Sequence, residues 1–194
     1  MYNRAVEKEL VIQRYPFKHV YTGIDKTVKR AVPAKIIRQI RDMDLSHDSS
    51  LEYARDLFMF SFYTRGMSFI DMAYLKKSNL QNGFLSYRRK KTNQQLVIKW
   101  EKPMQEIIDK YDTIGSSYLL PIILDAKTDE RKQYKNAAQL VNSKLKKLGK
   151  QIGLPIPLTS YVARHAWASI ARSKNIPLAT ISEAMGHDSE STTR

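Results

Sequence analysis

The sequence predicts a mainly α-helical domain carrying one small antiparallel β-sheet, an α+β arrangement dominated by helix. Apolar residues recur at three- and four-residue spacing through several long stretches. One basic segment, "GFLSYRRKKTNQQLVIKW", departs from that period and places two β-prone runs around a polar turn at Asn93. The size agrees: 194 residues with 42% hydrophobic content, two Trp, eleven Tyr and six Phe suffice for one packed core.

Taken in order, "YNRAVEKELVI" has helical spacing through Ala5, Val6 and Leu10 but is too short to stand alone. "QRYPFKHVYTGIDKTVKRAVP" mixes Pro, Gly and cations without periodicity and reads as an extended connector. Residues 1–30 are therefore expected to be the end of a preceding domain plus a linker, and residues 31–194 the main domain. "PAKIIRQIRDM" starts the steady helical signal. "SSLEYARDLFMFSFYTRGMSFIDMAYL" continues it, with Leu51, Ala54, Phe58 and Phe62 as an apolar stripe and Ser50 as the expected cap. Gly66 should interrupt this helix and Ser68 should start a short new one. After the hairpin, "PMQEIIDKY" has Pro103 in a first helical turn, with Met104, Ile107, Ile108 and Tyr111 on one face. A longer helix spans Asp129 to Gly149, with Ala138, Val141, Leu145 and Leu148 inward and Gly149 as its stop. "LTSYVARHAWASIARSK" and "PLATISEAMGH" form two further helices around an Asn-Ile-Pro link.

Charge narrows the partners. Thirty-three Lys and Arg face 19 acidic residues, giving +14 and a pI near 9.9, which favours a polyanion, and nucleic acid before a membrane surface. No apolar run is long enough to span a membrane, and "MYNRAVEKEL" is not a signal peptide. The chain has no Cys, so disulfides and thiolate metal sites are excluded, which fits a reducing, cytoplasmic compartment. The four His (His19, His47, His165, His187) lack ligand spacing, and there is no Gly-x-Ser-x-Gly or phosphate-cradling Gly loop.

Several residues stand out. On the helix from Ser160, Tyr161, Arg164 and Ala168 share a face, and Arg164 lies among alanines. It reads either as a surface cation or as a functional one. His187 follows Gly186 at the end of the last helix and is either a turn residue or a catalytic one. "RRKK" at Arg88 to Lys91 sits at the hairpin tip beside Tyr87, as a solvated charge run or a phosphate contact. A helix-turn-helix is poorly supported, because "ATISEAMG" is acidic and nearly devoid of side chains that read bases.

In sequence order, "YTRGMSFIDMAYL", a Lys on a basic hairpin, "ARHAWAS" and "MGHDSESTT" resemble the catalytic domain of tyrosine recombinases, in particular integrases of Bacteroides conjugative transposons. The resemblance covers Ala31 to the end. Residues 1–30 resemble the tail of the family's core DNA-binding domain. It implies DNA strand cleavage by a tyrosine hydroxyl, with a 3′-phosphotyrosine link and a free 5′-hydroxyl, and with no metal or other cofactor. It also implies a double-stranded DNA partner and a homo-oligomer on DNA, tetrameric in the synapse. Arg164 corresponds to the family's second arginine and His187 to the histidine of the third motif. Lys91, before Thr92, corresponds to the lysine that protonates the leaving 5′-oxygen, with Lys90 as its rival. Arg88, Arg89, Lys90 and His165 are assigned to DNA contact. Arginine suits such a site because its planar fork bonds phosphate twice and keeps its proton.

Two positions depart from the family pattern. Tyr161 stands where many members have a His three residues before the second arginine, and a Tyr is a poor base at neutral pH. The first arginine normally precedes an acidic residue by three. If Asp71 is that acid, Ser68 holds the arginine's place and Arg65 is the nearest cation, so Arg65 is assigned the role with Ser68 as its neighbour. The nucleophilic tyrosine is expected beyond Arg194, because Tyr161 and Tyr63 sit in the wrong motifs. The 194 residues alone are then expected to bind DNA without attaching to it. The alternatives are a non-enzymatic basic DNA-binding module and a helical domain that binds protein.

Each phosphate contact releases counterions, so the slope of log affinity for duplex DNA against log salt should be strongly negative, by about 0.9 per phosphate neutralised. A fluorescence-anisotropy salt series measures it, and replacing Arg88, Arg89 and Lys90 together should flatten it. An unchanged slope in that variant would remove the hairpin from the DNA interface.

Overall fold

A computed structural model describes residues 2–15, 18–20 and 31–186. Helix α1 (Tyr2–Glu7) precedes the main body, which begins with α2 (Ala34–Asp42) and α3 (Ser49–Tyr63). The short α4 (Phe69–Ala73) leads through a 3₁₀ turn (Lys77–Asn79) into strands β1 (Leu80–Gln81), β2 (Phe84–Arg88) and β3 (Gln95–Lys99). Helices α5 (Lys102–Ile108), α6 (Glu130–Gln151), α7 (Ser160–Ser173) and α8 (Leu178–Ala184) complete it. The mainly helical fold with a small antiparallel sheet matches the expectation from sequence. Among the described residues no helix is long and apolar enough to cross a membrane.

Helix α3 is the centre of the fold. It packs against α2, α5, α6 and α7, and most of its residues, Leu57, Phe58, Met59 and Phe60 among them, are buried. A helix enclosed on all sides has little amphipathic contrast, which is why apolar side chains run almost continuously from Leu57 to Phe62. Its N-cap is Asp48, not the expected Ser50: Asp48 Oδ1 accepts from the backbone N–H of Ser50 at 3.2 Å and of Leu51 at 3.1 Å. The carboxylate wins because it accepts both orphan N–H groups and the Ser50 hydroxyl as well.

The sheet is a meander in the order β1-β2-β3, with β1 a short strand not expected from the sequence. Leu85 pairs with Ile98 and Tyr87 with Leu96, and these four face the core. Phe84, Ser86 and Arg88 pair with Lys99, Val97 and Gln95 on the other face. Asn93 supplies the positive φ (57°) that the turn needs. Two further expectations are corrected. Gly149 does not stop α6 but lies buried inside it, where a Cβ would come within 2.9 Å of Leu158 Cβ. Tyr111 lies beyond α5, and its hydroxyl donates to Asp56 Oδ2 at 2.9 Å.

That last contact belongs to a buried ionic cluster joining α2, α3 and the segment after α5. Arg55 Nε donates to Asp56 Oδ1 at 2.6 Å, and Arg55 NH1 donates to the carbonyls of Arg41 and Met43, both at 3.0 Å. Lys110 Nζ reaches Asp56 Oδ2 at 3.0 Å and Glu52 Oε1 at 3.1 Å. Asp56→Ala leaves the buried Arg55 Nε and the Tyr111 hydroxyl without their acceptor, and should cost about 3 kcal/mol in urea unfolding. The exposed Arg41–Asp42 pair is the internal control: Asp42→Ala should leave the unfolding midpoint unchanged.

Candidate functional site

The site starts where α3 ends. Gly66 N–H donates to Ser61 O at 2.7 Å and Arg65 N–H to Phe62 O at 3.2 Å, closing the helix with two successive left-handed residues, Arg65 (φ 61°) and Gly66 (φ 76°). Glycine is required at the second for two reasons. Its φ is costly for other residues, and a Cβ there would lie 2.6 Å from Arg164 Cα. Helix α7 thus rests directly on the turn. Arg164, 6% exposed, uses this proximity: NH1 donates to Gly66 O and NH2 to Met185 O, both at 2.7 Å. Burial, and after it the neighbouring Arg89, pull the Arg164 pKa down to about 10. The group stays charged at neutral pH, but in surroundings that disfavour its charge, and an anion would relieve that cost.

Asp71 is the second organising residue. It is 4% exposed and accepts from Ser68 Oγ at 2.6 Å and from the backbone N–H of Lys90 at 2.8 Å, with Arg89 Nε at 3.9 Å. One carboxylate therefore anchors both the cap of α4 and the base of the hairpin loop. Arg89 continues the inward alternation of Leu85 and Tyr87 and is 7% exposed, with NH1 donating to Gly186 O. Burial raises the Tyr87 hydroxyl above its ordinary range. Lys90 Nζ lies 4.4 Å above the centre of the Tyr74 ring, a cation–π contact that leaves the side chain exposed.

The residues singled out in the sequence divide as follows. Arg164 reaches the turn that carries Arg65, since it binds the carbonyl of Gly66, the residue next to Arg65. Ser68, Tyr161 and Arg164 line a common cavity of about 160 Å³ together with Tyr134. Tyr161 is half exposed and packs edge-on to His165, with ring centroids 4.6 Å apart. The Arg88–Lys91 run does not stay together. Arg88, Lys90 and Lys91 are exposed, whereas Arg89 continues the strand's alternation and points inward, so the run is not a uniformly solvated one. Half-buried Arg65 also lines a groove of about 430 Å³ between β3 and α8. His187 lies outside the described residues. Sequence reading did not find the anchoring of the hairpin by Asp71 or the close approach at Gly66, although the period-2 pattern Leu85, Tyr87, Arg89 was a usable signal for the burial of Arg89.

Residues 33–194 match the Phage integrase family. Among solved structures, a lambda integrase (residues 75–356) dimer bound to a COC′ core site superposes with a TM-score of 0.64 at 15% identity, over 98% of this chain and 69% of that one. XerA recombinase gives a TM-score of 0.58 at 14% identity, over 98% of this chain and 66% of that one. XerH site-specific recombinase bound to difH substrate gives 0.62 at 15% identity, over 91% and 52%. The chain therefore spans between about half and two thirds of the length of these structures. No curated protein sequence matches it. At such identities the superpositions show a shared fold, while the family match runs through most of the sequence and takes in all four motifs: the chain belongs to the phage integrase family of tyrosine recombinases.

Proposed function

We propose that residues 31–194 form the catalytic domain of a site-specific recombinase that binds double-stranded DNA and holds one phosphate at the α3–α4 turn for strand transfer through a 3′-phosphotyrosine. The observation that carries this reading is the fork of Arg164, which joins the turn of Arg65 to the end of α8. In this reading Arg65 and Arg164 face the non-bridging oxygens, where charge develops as the tyrosine oxygen bonds to phosphorus and the bond to the 5′-oxygen breaks. Lys91, exposed on the hairpin, gives its proton to that 5′-oxygen, and His187 donates to the phosphate. Ser68 supports the site through Asp71, and Tyr161 takes the position usually held by a histidine. Arg88, Lys90 and His165 follow the flanking backbone.

Wider assignments rest on the same reading. The protein acts on DNA in the cytoplasm as a homo-oligomer, tetrameric in the synapse, and the solved lambda integrase structures that share its fold include a dimer on a core site and a tetramer on a Holliday junction. The "TRGMSFIDMAYL" motif supports a mobile-element integrase of the Bacteroides kind, with residues 1–30 as the end of a core-binding domain and its linker. In this reading neither Tyr63, the last residue of α3, nor Tyr161, in the first turn of α7, is the nucleophile.

The test is a nicked suicide duplex. Binding should be clear at low salt, and Arg65→Ala should weaken it about tenfold, the loss of one charge-assisted contact. A denaturing gel should show no covalent adduct from these 194 residues. Unchanged affinity in Arg65→Ala would remove that residue from the DNA. An adduct that disappears in Tyr161→Phe would make Tyr161 the nucleophile and overturn the assignment.

A further inference from the structure

We propose that Arg89 is a positioning residue that locks the β2–β3 hairpin, and with it Lys91, onto the turn after α8 that leads into His187; the roles of those two residues are those of the proposed recombinase. Four observations carry it. Arg89 is buried at the base of the loop, where its own N–H donates to Gln94 O at 3.0 Å and it accepts from Asn93 N–H at 2.9 Å. Its guanidinium NH1 donates to Gly186 O, 97 residues away. Gly186 has φ +64°, and a Cβ there would lie 2.7 Å from Arg89 Cδ and 3.2 Å from Gln94 Oε1, so the turn is pressed against the loop. Arg89 Nε, although buried, has no hydrogen-bond partner among the described residues, and its nearest carboxylate oxygen is that of Asp71 at 3.9 Å.

The last carbonyls of a helix have no partner within the helix and carry partial negative charge. Here the consecutive carbonyls of Met185 and Gly186 accept from Arg164 on α7 and from Arg89 at the hairpin. The end of α8 is thus held from two sides by two buried cations. Arg89 connects the hairpin that bears Lys91 with the turn that precedes His187.

Arg89→Met fills similar volume without a donor, and Arg89→Lys keeps the charge and a donor toward the Gly186 carbonyl. In amide hydrogen exchange, Arg89→Met should speed exchange together in residues 88–96 and 181–186 by about tenfold, with α3 unaffected, and Arg89→Lys should restore most of the protection. Packing alone would give the opposite order, with Met better than Lys. Duplex affinity should fall about fivefold in Arg89→Met and recover in Arg89→Lys with the salt slope unchanged, whereas Arg88→Gln should make the slope shallower by about one. A shallower slope in Arg89→Met would make Arg89 a phosphate contact, and faster exchange in neither segment or in only one would remove the lock; either result overturns the proposal. If Arg89→Met does not fold, Gly186→Ala decides, because its methyl displaces Arg89 from the other side and should loosen residues 88–96. A wild-type chain that fails to bind DNA at any salt would sink the recombinase reading, while the exchange comparison still decides the lock.

Discussion

The constraint on which the rest of the site depends is the burial of Arg164. A guanidinium out of water must have its donors met and its charge tolerated. Two donors go to backbone carbonyls 98 and 21 residues away, so the end of α3, the middle of α7 and the end of α8 must assemble together. That assembly explains the backbone at the turn. Gly66 carries no side chain because α7 occupies the space one would need. Arg65 accepts a left-handed conformation that a non-glycine residue adopts at a cost, and so presents its side chain from the tip of the turn rather than from the helix.

The electrostatics follow from the same packing. Arg164 and Arg89 are interior neighbours of like charge, and after burial Arg89 is the next cause of the lowered Arg164 pKa. Asp71 is the carboxylate closest to Arg89, and it is already shared between Ser68 Oγ and the Lys90 N–H. A depression from 12.5 to about 10 corresponds to roughly 3 kcal/mol that the folded protein bears while Arg164 is protonated, which at neutral pH it always is. The sign matters. The fold is less stable for carrying this charge at every pH below about 10. The buried charge is therefore a cost in the free protein, and in the proposed function a bound phosphate would offset it.

Much of this was legible in the sequence, and the failures have physical causes. The helices from Ala34 to Ala184 and the hairpin announce themselves by period, because each buries one face or a continuous surface. The four motifs are legible by order. What sequence reading missed lies between elements. A charge run at 88–91 looks uniform in one dimension, but a strand alternates its faces, so Arg89 goes inward and Arg88 does not. Asp71 looked like one acid of a shifted motif, yet its place is set by a backbone N–H 19 residues away, which no local pattern encodes. Gly149 has the composition of a helix stop, and only the approach of Leu158 explains a glycine inside α6. Ser50 and Asp48 are both good caps by type, and geometry alone separates them.

Rigidity is unevenly distributed around the site, and the distribution has a logic. Helix α3 is enclosed by four others, and the Arg55–Asp56–Lys110 cluster pins its first half to α2 and to the segment after α5. The turn bearing Arg65 therefore hangs from the most constrained element of the chain. The hairpin loop is held differently, by a few polar contacts at its base: Asp71 to the Lys90 N–H, and Arg89 to Gly186 O. In the proposed reaction this leaves Arg164 aimed at phosphorus while Lys91 follows the leaving oxygen. In the proposed function, Lys90 and Lys91 approach DNA from a loop held at its base, and Arg164 from the packed turn after α3.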